Sequence, residues 1–250
     1  METLKGKAAL VTGASRGLGA AIALELAAKG AKVAVNYFAK RERAEQLCAR
    51  IKNEGGEATP YYADVRLEAD IAKMIQAVND TYHHIDIAVI NATGPQPLLT
   101  IEEQTWERYL DQLEFFVKSP LLILKQVVAG MKSRGYGRII QIGSEVVELG
   151  NPVFAHYVAA KGAQLGQTRS WARELAPSGI TVNLVAPGWI PTERHLHSTQ
   201  TEMDAYKEKV PMGYMGAPQD VADAVAFLAS DAGRFITGQR ISVNGGNTIA

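Results

Sequence analysis

The 250-residue chain has a single cysteine, Cys48, so an internal disulfide is excluded and a reducing compartment is expected. It has no long apolar run. The longest candidate, Pro120–Val128, is broken by Lys125 and Gln126 and falls far short of the roughly 18 residues of a membrane span. It has no excess of either charge: 26 basic and 26 acidic side chains cancel, which argues against a nucleic-acid clamp or a polybasic membrane binder. It also has no Cys/His/acid set to complete a metal site, so His195 and His197, one residue apart, read as a solvated loop. The basic start Met1-Glu2-Thr3-Leu4-Lys5-Gly6-Lys7 is not followed by an export core, because Ala8–Val11 runs straight into Thr12-Gly13 and Arg16. A cytoplasmic enzyme or binding protein is the expectation.

What is present is alternation. Ala8–Val11, Lys32–Tyr37, Ile85–Ile90, Arg138–Ile142, Ile180–Val185 and Arg240–Val243 read as strands, with Ala58–Tyr62 a weaker candidate. Leu18–Lys29, Arg41–Asn53, Ala69–Tyr82, Phe115–Lys132, Ala155–Leu175 and Asp220–Ser230 carry helical periodicity. Apolar runs rather than alternating strands point to burial on both faces of a parallel sheet. No linker interrupts the pattern, so a single doubly wound α/β (Rossmann) domain over residues 1–250 is expected, with a sheet of about seven strands. Residues 187–218 hold seven scattered prolines and glycines and little periodicity, which marks a binding loop or lid.

The first strand runs into Thr12-Gly13-Ala14-Ser15-Arg16-Gly17-Leu18-Gly19 and then an Ala-rich helix. Gly13 allows a tight turn, Gly17 a close backbone approach, and Gly19 close helix–sheet packing, so the helix start can receive a pyrophosphate. Gly13, Ser15, Arg16, Gly17, Leu18 and Gly19 are therefore cofactor candidates. The second strand ends Val35-Asn36-Tyr37-Phe38-Ala39-Lys40-Arg41, without the acid that accepts from the ribose hydroxyls in NAD sites. Asn36 and Tyr37 take that position as candidates. Arg16 with Lys40 or Arg41 suits a 2′-phosphate, so NADP(H) is expected in preference to NAD(H).

Tyr157 and Lys161 stand four residues apart on one helix face. A nearby ammonium favours the phenolate and so makes a tyrosine a usable proton donor and acceptor. Ser144, at the carboxyl end of the strand before them, adds a hydrogen-bond donor for a carbonyl oxygen.

With these residues in place, the chain resembles the short-chain dehydrogenase/reductase family, nearest in pattern to its 3-oxoacyl-ACP-reductase-like members. The likeness rests on Thr12–Gly19, Asp64-Val65, Asn91-Ala92, Ser144, Tyr157-x-x-x-Lys161, Val182-Asn183, Pro187-Gly188 and the closing Ile236-Thr237-Gly238 and Val243–Gly246. It implies that Tyr157 protonates the carbonyl oxygen during reduction, that Ser144 holds that oxygen, and that Lys161 lowers the Tyr157 pKa and binds the nicotinamide ribose. It implies adenine contacts from Asp64 and Val65, and a ribose contact from Asn91 with Ala92 and Thr93 alongside. Ile190 and Thr192, after Pro187 and Gly188, would fix the nicotinamide carboxamide. A homotetramer, or a homodimer, packed through the helices at Phe115–Lys132 and Ala155–Leu175 is also implied.

Two departures stand out. The family's Asn-Asn-Ala-Gly is Ile90-Asn91-Ala92-Thr93 here. The helical Asn that holds a water for the active-site lysine in many members has no counterpart. Counting forward from Trp106 reaches Leu113, counting back from Gly137 reaches Phe116, and no Asn occurs between Asn91 and Asn151. The pocket is expected to draw on Glu145, Val146, Asn151–Phe154, Trp189 and the lid. The expected activity is reduction of a small ketone to a secondary alcohol. A dehydratase or isomerase using the same Tyr/Lys pair, or a dinucleotide-binding regulatory subunit, are the alternatives.

Overall fold

The computed structural model describes residues 3–196 and 198–249, so His197 lies outside the described residues. Seven parallel strands form one sheet in the order β3-β2-β1-β4-β5-β6-β7. They are β1 (Ala8–Val11), β2 (Lys32–Tyr37), β3 (Glu57–Tyr62), β4 (Ile87–Ile90), β5 (Gly137–Ile142), β6 (Ile180–Pro187) and β7 (Arg240–Val243). The helices are α1 (Gly17–Ala28), α2 (Arg41–Asn53), α3 (Glu68–Tyr82), α4 (Trp106–Leu113), α5 (Ser119–Arg134), α6 (Val146–Leu149), α7 (Ala155–Leu175), α8 (Gln200–Lys207) and α9 (Pro218–Ala229).

The apolar runs in the strands have the predicted meaning. Ala9 and Val11 of β1, with Val33, Val35, Ile87, Val89, Ile140 and Val185, pack against α1, α2 and α9 on one face. Ala8 and Leu10, with Ala34, Ala88, Ile90, Ile139 and Val182, pack against α3, α5 and α7 on the other. Successive side chains therefore feed opposite cores, each requiring an apolar residue. The weak strand candidate, β3, contains Pro60 and lies at the sheet edge, where a missing N–H does least harm. Ile90, which replaces a polar residue of the family pattern, is simply part of the second core.

The helical region after β4 differs from expectation. It begins at Trp106, capped by Thr105, whose hydroxyl accepts from Arg108 N, and passes through a π turn at Glu114–Lys118 before α5. A π turn takes more residues than an α turn, so helix positions counted from the two ends fall out of step there. The lid also differs: α8 lies within the stretch read as irregular.

The strand order reverses between β1 and β4. Ligands bind outside the carboxyl ends of the strands at such a switch point, and the sequence-predicted site residues other than Tyr37 line two clefts there.

Candidate active site

Hydrogen bonds lock the loops after β1 and β4 together. The Thr12 hydroxyl accepts from Asn91 N (2.8 Å) and Ala92 N (3.0 Å), while the Asn91 amide donates to Thr12 O (2.9 Å) and Gly13 O (3.2 Å). Gly13 N in turn donates to Asn36 Oδ1 at 3.0 Å, and Asn36 Nδ2 donates to Ala63 O at 3.2 Å. This packing leaves no room for side chains at two glycines. Gly13 has φ +61° and an added Cβ would lie 2.8 Å from Ala92 Cα; at Gly19 it would lie 2.5 Å from Asn91 Nδ2. Helix α1 has Arg16 at its N-cap, no side-chain cap and no acid in its first turn, so its leading amides are left for an anionic ligand.

Gly13, Ser15, Arg16, Gly17, Leu18, Gly19, Asn36, Asp64, Val65, Asn91, Ala92, Thr93, Ile190 and Thr192 line one cleft of about 460 Å³. Tyr37 does not border it; its ring meets Tyr62 edge-on at 5.9 Å. Asn36 borders the cleft, but its amide is engaged in holding the glycine loop. Arg16 and Lys40 stand on the wall beyond β2. Arg66, which no sequence signal marked, shares that wall. It grips Asp64 with Nη2 2.6 Å from Oδ2, and this hydrogen bond holds the Asp64 carboxyl below its ordinary pKa.

A second cleft of about 1010 Å³ adjoins the first, the two sharing residues that include Asn91, Thr93, Ile190 and Arg194. Ser144, Tyr157, Lys161, Pro187 and Gly188 line it. Tyr157 is buried between Phe154 (ring centroids 4.8 Å apart) and Phe116 (5.4 Å, edge-on). Lys161 Nζ donates to Ile142 O at 2.6 Å and Gln164 Oε1 at 3.1 Å, and lies 3.7 Å from the Phe116 ring centroid. Of the two positions reached by counting, Phe116 is thus the one turned onto the lysine.

The electrostatics differ from the sequence expectation. Burial pushes the Tyr157 phenol up; Ser144, the charge of Arg194 and Gln96 work against it, in that order, and Lys161 is not among these influences. Burial and then the Arg194 charge push Lys161 well down. A desolvated phenol surrounded by rings keeps its proton, which is the form an acid needs.

The lid is tied to this site through Glu145, which is buried next to Ser144. Its carboxylate accepts from Tyr206 OH (2.6 Å), Asn244 Nδ2 (3.0 Å) and Asn247 Nδ2 (3.0 Å). The Tyr206 hydroxyl also accepts from Trp189 N at 2.8 Å, joining α8 to the segment after β6. Trp189 lines the second cleft and meets Tyr206 and His195 edge-on. Glu145, Phe154 and Trp189 line the pocket as the sequence leads one to expect; Arg194 and Tyr206 belong to the expected lid without being singled out in it, and Gln96 and Gln164 carry no signal in the sequence. No group of three or more metal-ligating side chains occurs among the described residues.

A glycine-loop cleft continuous with a Ser/Tyr/Lys cleft defines a dinucleotide-dependent oxidoreductase. Comparison with known proteins makes this specific. A family model described as enoyl-(acyl carrier protein) reductase matches residues 13–248. The chain is 40% identical over 242 residues to a 3-oxoacyl-(acyl-carrier-protein) reductase of Staphylococcus epidermidis, covering 96% of this chain and 98% of that protein. It is 39% identical over 244 residues to the protein of that name from Escherichia coli, covering 97% of each. Among solved structures, a dehydrogenase/reductase from Sinorhizobium meliloti superposes with a TM-score of 0.91 at 36% identity, over 100% of this chain and 99% of that one. A blue fluorescent protein from a metagenomic library, in complex with NADPH, superposes with a TM-score of 0.91 at 34% identity, over 99% of this chain and 100% of that one. The chain belongs to the short-chain dehydrogenase/reductase family, as an NAD(P)-dependent oxidoreductase acting between C=O and CH–OH.

Proposed function

We propose that the protein reduces a ketone to a secondary alcohol with NADPH, Tyr157 supplying the proton. The observation that carries this reading is the buried Tyr157 phenol, with Ser144 and Gln96 beside it, in a cleft continuous with the glycine loop. The residues present fit the dinucleotide: the cradle admits no Cβ at Gly13 or Gly19, the α1 amides are uncapped, and Arg16 and Lys40 form a basic wall where an NAD site would carry an acid. Bound there, the nicotinamide supplies the hydride.

The chain's own residues do the rest. Ser144 and Tyr157 hydrogen-bond the carbonyl oxygen and so polarise it. As the carbonyl carbon takes the hydride, the phenol proton passes to the oxygen, giving the alcohol and a tyrosinate that solvent reprotonates. Phe116 and Phe154 pack on the phenol ring and orient it, and Ile142 O and Gln164 fix Lys161 on the same helix face. The intact trio favours an enzyme over a regulatory subunit. A homotetramer or homodimer built through α5 and α7, in the cytoplasm, completes the reading.

The test is NADPH oxidation across a panel of ketones. Replacing Tyr157 with Phe removes the acid and is expected to lower kcat by about 10²-fold or more, the usual contribution of general acid catalysis, with little change in NADPH affinity. A variant that keeps its rate refutes the assignment.

A further inference from the structure

Arg194 lies in the short 3-10 turn Glu193–His195 of the lid and lines both clefts. Its Nη2 donates to Gly94 O at 2.7 Å, spanning from the lid to the loop after β4. Among the described residues no carboxylate pairs with it. It is nevertheless close enough to act on both reacting groups: its charge favours ionised Tyr157 and disfavours charged Lys161.

The rest of the second cleft leaves that charge unanswered. Lys161 and Lys209 also line it and have no carboxylate partner among the described residues. Its two carboxylates are occupied elsewhere. Glu145 is saturated by Tyr206, Asn244 and Asn247, and Glu202 accepts from Thr199 N (2.8 Å) and the Thr199 hydroxyl (3.0 Å). Glu193 faces the other cleft, near the glycine loop. An arginine with no carboxylate partner and donors to spare has the planar fork that matches a carboxylate.

We infer that the substrate is a small keto acid whose carboxylate is received by Arg194, beside the carbonyl that faces Ser144 and Tyr157. This rests on the reductase reading above and narrows its substrate class. It sets this site apart from one built for a thioester, which has no charge next to the reacting carbonyl.

The experiment compares matched pairs, acetoacetate with methyl acetoacetate and 2-oxobutanoate with its methyl ester, in the wild-type protein and in Arg194→Met and Arg194→Lys. At least one acid is expected to exceed its ester in kcat/KM. Arg194→Met should lower the value for that acid by about 10- to 100-fold relative to its ester, the usual worth of hydrogen bonds to a charged group, on top of any change both share through Tyr157. Arg194→Lys should recover part of the loss. A wild type that favours the esters, or an Arg194→Met variant that keeps the wild-type acid-to-ester ratio, overturns the inference. So does a variant that weakens NADPH binding while keeping the acid-to-ester ratio, since Arg194 would then serve the cofactor phosphates. Failure of the wild type to turn over any of the four while binding NADPH counts against the reductase reading instead. In that case calorimetry of the NADP⁺-saturated protein, which cannot reduce a ketone, still decides. Acid binding lost in Arg194→Met upholds the carboxylate site, and equal binding of acid and ester removes it.

Discussion

His156 is wholly buried on α7, next to Tyr157, with no hydrogen-bond partner on either ring nitrogen. It lies edge-on to Phe154 at 5.9 Å and Tyr109 at 6.3 Å. Burial, then the charge of Arg108, holds its pKa below the ordinary 6.5. The unfolded chain therefore takes up the proton before the folded one does. Stability attached to neutral His156 is complete above about pH 6.5 and is lost as pH falls below it, by at most about 1.4 kcal/mol per pH unit. Urea unfolding at pH 7.5 and pH 5.5 should show a smaller loss in His156→Phe than in the wild type; equal losses exclude this source. Residue types were legible here, but side-chain direction was not. Asn36 lies near the end of β2, where the sequence points it at a ribose, yet its amide is the hook for Gly13 N. Tyr37 faces Tyr62 for the same geometric reason: neighbours on a strand point to opposite faces. Arg194 is not singled out within the lid, since an arginine in an irregular stretch reads as a solvated charge until the fold brings it to the cleft that holds Tyr157.

At the level of elements, apolar runs flanked by turn residues located the strands, and glycine spacing located the nucleotide loop. Three helices carry no reading in the sequence; α6 is a single four-residue turn, and the other two are obscured for different reasons. The turn of helix at α4 is short, and the π turn behind it breaks the periodicity that would have joined it to α5. The lid helix α8 lies among prolines and glycines that obscure it, although Thr199 and Glu202 form a capping box, a start signal readable in the sequence. That helix has few buried residues of its own, and Tyr206 anchors it to Glu145 and Trp189 N. Tyr206→Phe deletes one donor and one acceptor there. The expected result is a lid that opens more readily: KM rises several-fold with a smaller change in kcat, proteolysis within residues 199–210 quickens, and global stability falls by about 1 kcal/mol, the ordinary net worth of a hydrogen bond. Unchanged KM and proteolysis would show that α8 is held by packing alone.

Across the whole molecule, a neutral net charge coexists with local positive clefts. Arg66 is neutralised by Asp64, but among the described residues Arg16 and Lys40 have no carboxylate partner on the wall beyond β2. A ligand that binds only the folded chain stabilises it, by about 2.7 kcal/mol at one hundred times its dissociation constant. For a chain of this size that corresponds to a rise of roughly 5–10 °C in Tm. NADPH and NADH share every contact except the 2′-phosphate, so their difference in Tm shift at equal concentration measures that wall. NADPH should raise Tm further than NADH. Arg16→Ala should weaken NADPH by about 10- to 100-fold, the range for a charge-assisted contact, and so remove most of its shift while leaving that of NADH in place. Arg16 also stands at the N-cap position of α1, where the shared diphosphate would lie. If the variant reduces both shifts equally, Arg16 serves the diphosphate, and the preference for NADPH must come from Lys40 or disappear.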